Sequence, residues 1–249
     1  MIMCAIVAAV VKGGNGFFCK DMQFRNTAGP QGRQALALLV IADNVAFFNC
    51  RMDGYQDTVA VEYGDVFFYR CDLYGTIDFI FGDAFVILQN CKIHVRLPAV
   101  GQQCVVAASG RYQSEQMTAI VIHNCTILPE PDLLLQKDKV ESYLARPWKP
   151  YSRTIIMESN IGEFIRPDGY LPWTKGDHTR TLYFGEYANT GPSADTSTRV
   201  KWPGVKAIRR QEAVTYTVEP FLIGREPAEV TGADWLKKVG VPYHSGLMY

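Results

Sequence analysis

Gly54-Tyr55-Gln56-Asp57-Thr58-Val59, Val66-Phe67-Phe68-Tyr69-Arg70-Cys71 and Gly75-Thr76-Ile77-Asp78-Phe79-Ile80-Phe81-Gly82 follow one another in a single short stretch, and their reading decides the fold. Asp57 and Asp78 lie 21 residues apart, each among apolar or aromatic neighbours. A carboxylate buried in such surroundings costs several kcal/mol unless it is paired or put to chemical use. Two of them at one interval ask for a common explanation.

The interval recurs outward from this stretch. Phe47-Phe48-Asn49-Cys50, Phe68-Tyr69-Arg70-Cys71, Val86-Ile87-Leu88-Gln89-Asn90-Cys91 and Ile120-Val121-Ile122-His123-Asn124-Cys125 end alike, and their cysteines step by 21, 20 and 34 residues. The long step is one turn plus an excursion at Leu97–Gln103 or Arg111–Gln116. Weaker copies sit at 16–22 and 154–161. Short β-branched or aromatic segments at a step of about 20 residues, with turn residues between, predict a β-solenoid rather than a sandwich. The usual hand of parallel crossovers makes it a right-handed parallel β-helix, an all-β fold. Residues 1–186 show no helical periodicity of useful length. From Tyr187 the pattern changes: Asn189–Thr198 is loop chemistry, and Ala207–Thr215 and Gly232–Val239 are short helix candidates. Residues 187–249 have too few apolar side chains for a core of their own. They are expected to form a loop-rich C-terminal tail packed on the coils of 1–186, within one domain spanning 1–249.

The chain has 249 residues, 48% hydrophobic and 20% charged, an ordinary globular composition. Lys plus Arg and Asp plus Glu number 25 each, so no net field points to nucleic acid or to an anionic membrane. The seven cysteines, at 4, 19, 50, 71, 91, 104 and 125, contain no C-x-x-C pair, and metal-site spacing is absent. Buried free thiols and a few disulfides are equally compatible with the composition. Met1–Val11 is too short to span a bilayer and lacks the basic start of a signal peptide; it reads as a strand. Asn124-Cys125-Thr126 fits the N-glycosylation pattern, but its place at the end of a repeat strand argues against modification. His94 and His123 read as strand residues. Ser109 has no evident base.

In a solenoid, residues one coil apart stack. Gln34 and Gln56 are 22 residues apart, Asp57 and Asp78 are 21, so each pair should be neighbours on adjacent strands, about 4.8 Å apart. Two carboxylates that close cannot both ionise cheaply: one becomes an acid, the other stays an anionic base or nucleophile. Amide donors beside them suit a developing oxyanion. Arg146-Pro147-Trp148 offers a cation for the ionised aspartate and an aromatic face alongside. Taken singly, each motif has a plainer reading: a turn-capping Asp, a structural amide ladder, a core stack of the aromatics at 67–69 and 79–81. Their shared register favours catalysis.

These residues also carry a family likeness. Phe24-Arg25-Asn26-Thr27-Ala28-Gly29-Pro30, Gln34-Ala35-Leu36-Ala37-Leu38, the Gly54–Thr58 and Gly75–Gly82 segments, Tyr143–Lys149, Tyr151–Thr154, Gly185-Glu186-Tyr187 and Arg199–Gly204 occur in order. The chain resembles the plant-type pectinesterases (pectin methylesterases, carbohydrate esterase family 8) over nearly all its length. The resemblance implies a pectin lyase-like solenoid and hydrolysis of galacturonate methyl esters in homogalacturonan, with methanol released. It implies Asp78 as nucleophile, Asp57 as acid and then base, Gln34 and Gln56 as oxyanion donors, and Arg146 as the partner of the ionised aspartate. Trp148, Phe81, Tyr170 and Thr27 are the implied substrate-binding residues. No metal or organic cofactor is implied. Pectin and a proteinaceous pectinesterase inhibitor are the implied partners of a monomeric enzyme of the extracellular cell wall. In an oxidising compartment, neighbouring-coil geometry favours Cys50–Cys71 and Cys91–Cys125 as disulfides.

The departures are specific. Ala145 stands where the family has Gly before Arg-Pro-Trp, adding a methyl beside the arginine. Asp83 replaces the usual Asn and is expected to raise the pKa of Asp78. Leu39 replaces an Arg, and Tyr170 stands where a Trp often follows Gly. The family's N-terminal portion has no counterpart, so the chain reads as truncated, with an unpaired apolar coil edge. Two other readings share the architecture: a non-catalytic pectin-binding remnant, and a polygalacturonase-like glycoside hydrolase using the same pair of carboxylates.

Overall fold

The computed structural model describes residues 7–174, 177–224 and 234–249. The chain winds through coils of three short strands each. The first is β1 (Val7–Lys12), β2 (Phe18–Lys20) and β3 (Gln23–Arg25), and the second β4 (Leu36–Ile41), β5 (Val45–Phe48) and β6 (Arg51–Asp53). The third is β7 (Val59–Tyr63), β8 (Asp65–Tyr69) and β9 (Asp72–Gly75), and the fourth β10 (Ile77–Gly82), β11 (Phe85–Gln89) and β12 (Lys92–Val95). Then come β13 (Cys104–Ser109), β14 (Ala119–His123) and β15 (Thr126–Pro129), followed by β16 (Ser142–Ala145), β17 (Arg153–Met157) and β18 (Asn160–Ile161). Equivalent strands stack into three parallel sheets, and β19 (Tyr183–Tyr187) and β20 (Val205–Ala207) continue the second sheet past residue 186. The fold is the parallel β-helix that the period predicts. Both excursions exist: β12 and β13 are separated by 96–103, β13 and β14 by 110–118.

Each coil turns from its second to its third strand on one left-handed residue: Asp21, Asn49, Arg70, Asn90, Asn124 and Glu158 have φ of 56°, 53°, 52°, 58°, 50° and 51°. Asn tolerates this region better than most residues, which is why the repeat ends so often in Asn-Cys. The Asn124 amide is already engaged, donating to Asn90 Oδ1 at 2.7 Å. Inside, equivalent positions stack by type. Phe47 lies on Phe68 with ring centroids 5.0 Å apart and planes within 11°, and Phe24 meets Phe47 edge-on.

The cysteines depart from expectation. Cys19, Cys50, Cys71, Cys91, Cys104 and Cys125 are buried free thiols, and the expected Cys50–Cys71 and Cys91–Cys125 bridges are not formed; Cys4 lies outside the described residues. Side chains at one register position of parallel strands project in the same direction, whereas a disulfide needs them turned toward each other. The thiols instead donate to carbonyls of the preceding coil, Cys71 to Phe47 O and Cys91 to Phe68 O at 3.4 Å, Cys125 to Leu88 O at 3.3 Å.

The tail packs on the outer face of the second sheet. Ile208, Ala213, Phe221, Trp235 and Leu236 join Phe67, Ile87, Val121 and Ile155 in one buried cluster. Short helices form at Arg210–Val214 and Trp235–Lys238, inside both candidate segments, with Gly232 and Ala233 outside the described residues. A short helix at Pro131–Leu134 and a helical turn at Glu219–Ile223 were not expected. The chain end is tied by buried polar groups: Gln89 exchanges two hydrogen bonds with the His244 backbone, and Glu158 accepts from His123, Met248 N and Tyr249 N. At the other end, β1 to β3 pair on one side only among the described residues, and Val7, Val10 and Met22 are exposed. Residues 1–6 of the expected first strand lie outside the described residues. Among those described, no helix is long and apolar enough to cross a membrane.

Candidate active site

The site is built on two equivalent corners, where the third sheet hands over to the first. Gly54 and Gly75 each precede an aspartate by three residues. A Cβ on Gly54 would fall 2.7 Å from Thr58 Oγ1, and one on Gly75 2.2 Å from Phe79 Cβ, so both corners need glycine to let the residue after the aspartate fold back. Asp57 and Asp78 themselves are left-handed, with φ of 61° and 50°. The Asp57 N–H donates to Ile77 O at 2.9 Å and the Ala35 N–H to Gln56 O at 3.2 Å. These ladder bonds set Asp57 beside Asp78 and Gln34 beside Gln56, as the coil length requires. Arg146 follows β16, its N–H donating to Ala107 O at 3.0 Å. Its guanidinium holds Asp78 with both arms, Nε to Oδ1 at 2.7 Å and Nη2 to Oδ2.

The two acids differ electrostatically. Burial first, then the charge of Asp78, pushes the Asp57 carboxyl up to about 8, against the opposing pull of Arg146 and a hydrogen bond from Gln34. Burial also raises Asp78, but there the two hydrogen bonds and the charge of Arg146 act directly on the carboxylate. The guanidinium therefore selects Asp78 to ionise first, and Asp57 keeps its proton at neutral pH. Gln56 and Arg146 line a cavity of about 340 Å³ with Ile77, Gln102, Gln103, Val105 and Leu171.

Phe81 is buried and meets Trp148 edge-on, centroids 5.8 Å apart. Thr27 is exposed on the loop that carries Gln34. Tyr170 is not a surface ring: it is 1% exposed, packs on Phe184 at 4.9 Å and donates its hydroxyl to Glu186. Its role in stacking on sugar is withdrawn, because the Tyr170 backbone bridges to Ala145 and turns the ring inward. Trp173 supplies the aromatic face that Tyr170 does not, with Arg146 4.3 Å above its ring. The signal for it was the second Pro-Trp pair of the chain, Pro172-Trp173. Sequence reasoning also missed Arg96, which pairs with the buried Asp53 at 2.6 Å and donates to Gly54 O at 2.8 Å, anchoring the start of the Asp57 corner.

The departures resolve differently from expectation. The Ala145 methyl enters the core rather than crowding Arg146. Asp83 is held by Gln116 Nε2 at 2.9 Å and by the Thr118 hydroxyl. Its charge acts on Glu62 and does not contribute to raising Asp78. Ser109 is buried and accepts backbone N–H bonds from Arg111 and Arg153, a structural role.

A parallel β-helix carrying an acid pair, two glutamines and an arginine at one corner defines the class: a solenoid with a paired-carboxylate site. The sequence model of the Pectinesterase family matches residues 4–225, and the chain belongs to that family. It is 48% identical over 243 residues to "Probable pectinesterase/pectinesterase inhibitor 13" of Arabidopsis thaliana, covering 97% of this chain and 38% of that protein. "Probable pectinesterase/pectinesterase inhibitor 23" of the same plant is 44% identical, covering 96% and 40%. The chain thus spans about two fifths of the length of these relatives. Pectin methylesterase from carrot superposes with a TM-score of 0.89 at 42% identity, over 97% of this chain and 72% of that one. The enzyme from Aspergillus niger gives 0.69 at 32% identity, over 78% and 60%.

Proposed function

We propose that this chain hydrolyses methyl esters of galacturonate in pectin. The observation that carries the proposal is the asymmetry of the pair: Arg146 donates to Asp78 with two arms, beside an Asp57 whose carboxyl is pushed up to about 8. An Asp78 oxygen attacks the ester carbonyl carbon, and the carbonyl oxygen takes the negative charge within reach of the Gln34 and Gln56 amides. Collapse breaks the bond to methoxide, which leaves as methanol with the Asp57 proton. The acyl group now sits on Asp78 and Asp57 is a carboxylate. Asp57 then takes a proton from water, whose oxygen attacks the acyl carbon, and Asp78 departs as a carboxylate. Trp148, Trp173, Phe81 and Thr27 border the sugar chain. In this reading the protein works outside the cell, in the wall, as a monomer open to a proteinaceous inhibitor.

Methanol release from highly esterified homogalacturonan, with no new reducing ends, is the expected result. New reducing ends would transfer the acid pair to glycoside hydrolysis. Binding to pectin without methanol would leave a remnant that recognises the polymer only.

A further inference from the structure

The outer face of the first sheet carries an apolar row fixed by register. Leu39 pairs with Ala60, Ala60 with Phe81, and Phe81 with Ala108. Leu36 and Trp148 pack on the same cluster, and Arg146, one residue past Ala145, closes the row at the acid pair. Along the same strands, away from Asp57 and Asp78, the surface turns acidic. Glu62 lies two residues past Ala60, at the bulge where β7 gains a residue on β4, and Asp83 lies two residues past Phe81.

The two carboxylates are neighbours. Burial, and then the charge of Asp83, raises Glu62, with Lys149 opposing. Asp83 is fixed by Gln116 and Thr118, but Glu62 Oε1 is buried with no hydrogen-bond partner. The neighbouring cations are largely occupied elsewhere. Arg111 spends its guanidinium on the carbonyls of Gln116, Ser114 and Tyr151. Arg153 bonds Met117 O at 3.2 Å, and Lys149 sits 5.1 Å over the Trp148 ring. Leu39, at the end of the row away from Arg146, brings no charge to it.

We propose that Glu62 and Asp83 form an acidic border to the substrate groove that admits a methyl-esterified galacturonate onto the Leu39–Phe81–Trp148 strip and rejects one with a free carboxylate. This rests on the ester-hydrolase reading above. An ester methyl matches the apolar row, whereas a free carboxylate would lose water against it and face two acids. Each hydrolysed ester therefore becomes a poorer neighbour on this side, and de-esterification should be scattered along the polymer rather than run in blocks.

The test compares kcat/KM on homogalacturonan of low and high methyl content. In the wild-type chain the low-to-high ratio is well below one. Glu62→Gln, and Glu62→Gln with Asp83→Asn, should raise the ratio about two- to fivefold per charge removed, mainly through KM, and 1 M salt should erase the difference. Leu39→Arg, a separate change on the outer face, should raise it in the same direction. Ratios equal to wild type in every variant, or insensitive to salt, overturn the proposal. Should the wild-type chain release no methanol from any pectin, the ester-hydrolase reading falls on its own. The border is then read from binding of de-esterified oligogalacturonate: a lower Kd in the Gln variants sustains it, and an unchanged Kd overturns it.

Discussion

Replacing Asp57 by Asn should stabilise the protein while removing its turnover. In the folded state the Asp57 carboxyl titrates at about 8, against an ordinary value of 3.8. A raised acid works against folding as pH climbs. Below about pH 4 both folded and unfolded chains hold the proton, and Asp57 contributes nothing. Between the two values the unfolded chain releases a proton that the folded chain must keep, and stability falls by about 1.4 kcal/mol per pH unit. At pH 7 the penalty is at most about 4 kcal/mol, and about half that once the interior relaxes around the charge. Asparagine keeps the shape and a donor for Asp78 but does not titrate. Asp57→Asn should therefore melt about 4–10 °C higher than wild type at pH 7 to 8, with the gap shrinking toward zero near pH 4. Circular-dichroism melts of both proteins at pH 4, 6 and 8 measure it. A gap independent of pH, or a variant less stable at pH 8, would refute the split protonation and with it the assignment of Asp57 as the acid.

The same electrostatics shape catalysis. Methanol release should fall above pH 8 as Asp57 loses its proton, and Arg146→Met should move the acid limb upward, because only burial then acts on Asp78; rates near neutrality should drop about 100-fold. Glu186 and Arg199, each 3% exposed, form a buried two-armed pair at 2.8 and 3.1 Å, so Glu186→Gln should cost about 3–5 kcal/mol in a urea titration. Tyr170→Phe removes only the hydroxyl bond to Glu186 and should lower stability by about 1 kcal/mol with KM for pectin unchanged; a raised KM would return that ring to the substrate. The six described thiols should resist a thiol reagent in the folded protein and react on denaturation without reductant, since all six are buried and unbridged.

What could be read from the sequence followed the constancy of the coil. Where successive cysteines step by 21 and 20 residues, register is arithmetic, and Asp57, Asp78, Gln34 and Gln56 were placed by it. Arg146 lies beyond three excursions, at 96–103, 110–118 and 130–141, so only its motif, and not its spacing, pointed to the site. Trp173 and Tyr170 lie in the irregular segment between β18 and β19, where no period says which ring faces out. That choice is made by a backbone bridge to Ala145 and a hydroxyl partner on Glu186, both distant in sequence. The disulfides failed for a related reason. Spacing says which cysteines are neighbours, but the direction of their side chains belongs to the sheet.

The left-handed backbone of Asp57 and Asp78 is not by itself a mark of catalysis. Asn49, Arg70, Asn90 and Asn124 adopt the same conformation at the corner between the second and third sheets, away from the acid pair. A solenoid must place such a residue at its corners, and Asp is among the few that tolerate the strain. The acid pair therefore arises where two ordinary corner residues, one coil apart, are both carboxylates with their side chains turned out of the core. What would make one member an acid and the other a nucleophile in the proposed reaction comes from two coils further on. Arg146 must cover about 10 Å of stacking distance to reach Asp78, along a cavity that Val105 of the intervening β13 lines with Ile77 and Gln56. The period creates the pair, and one guanidinium from two coils away makes its two members unequal.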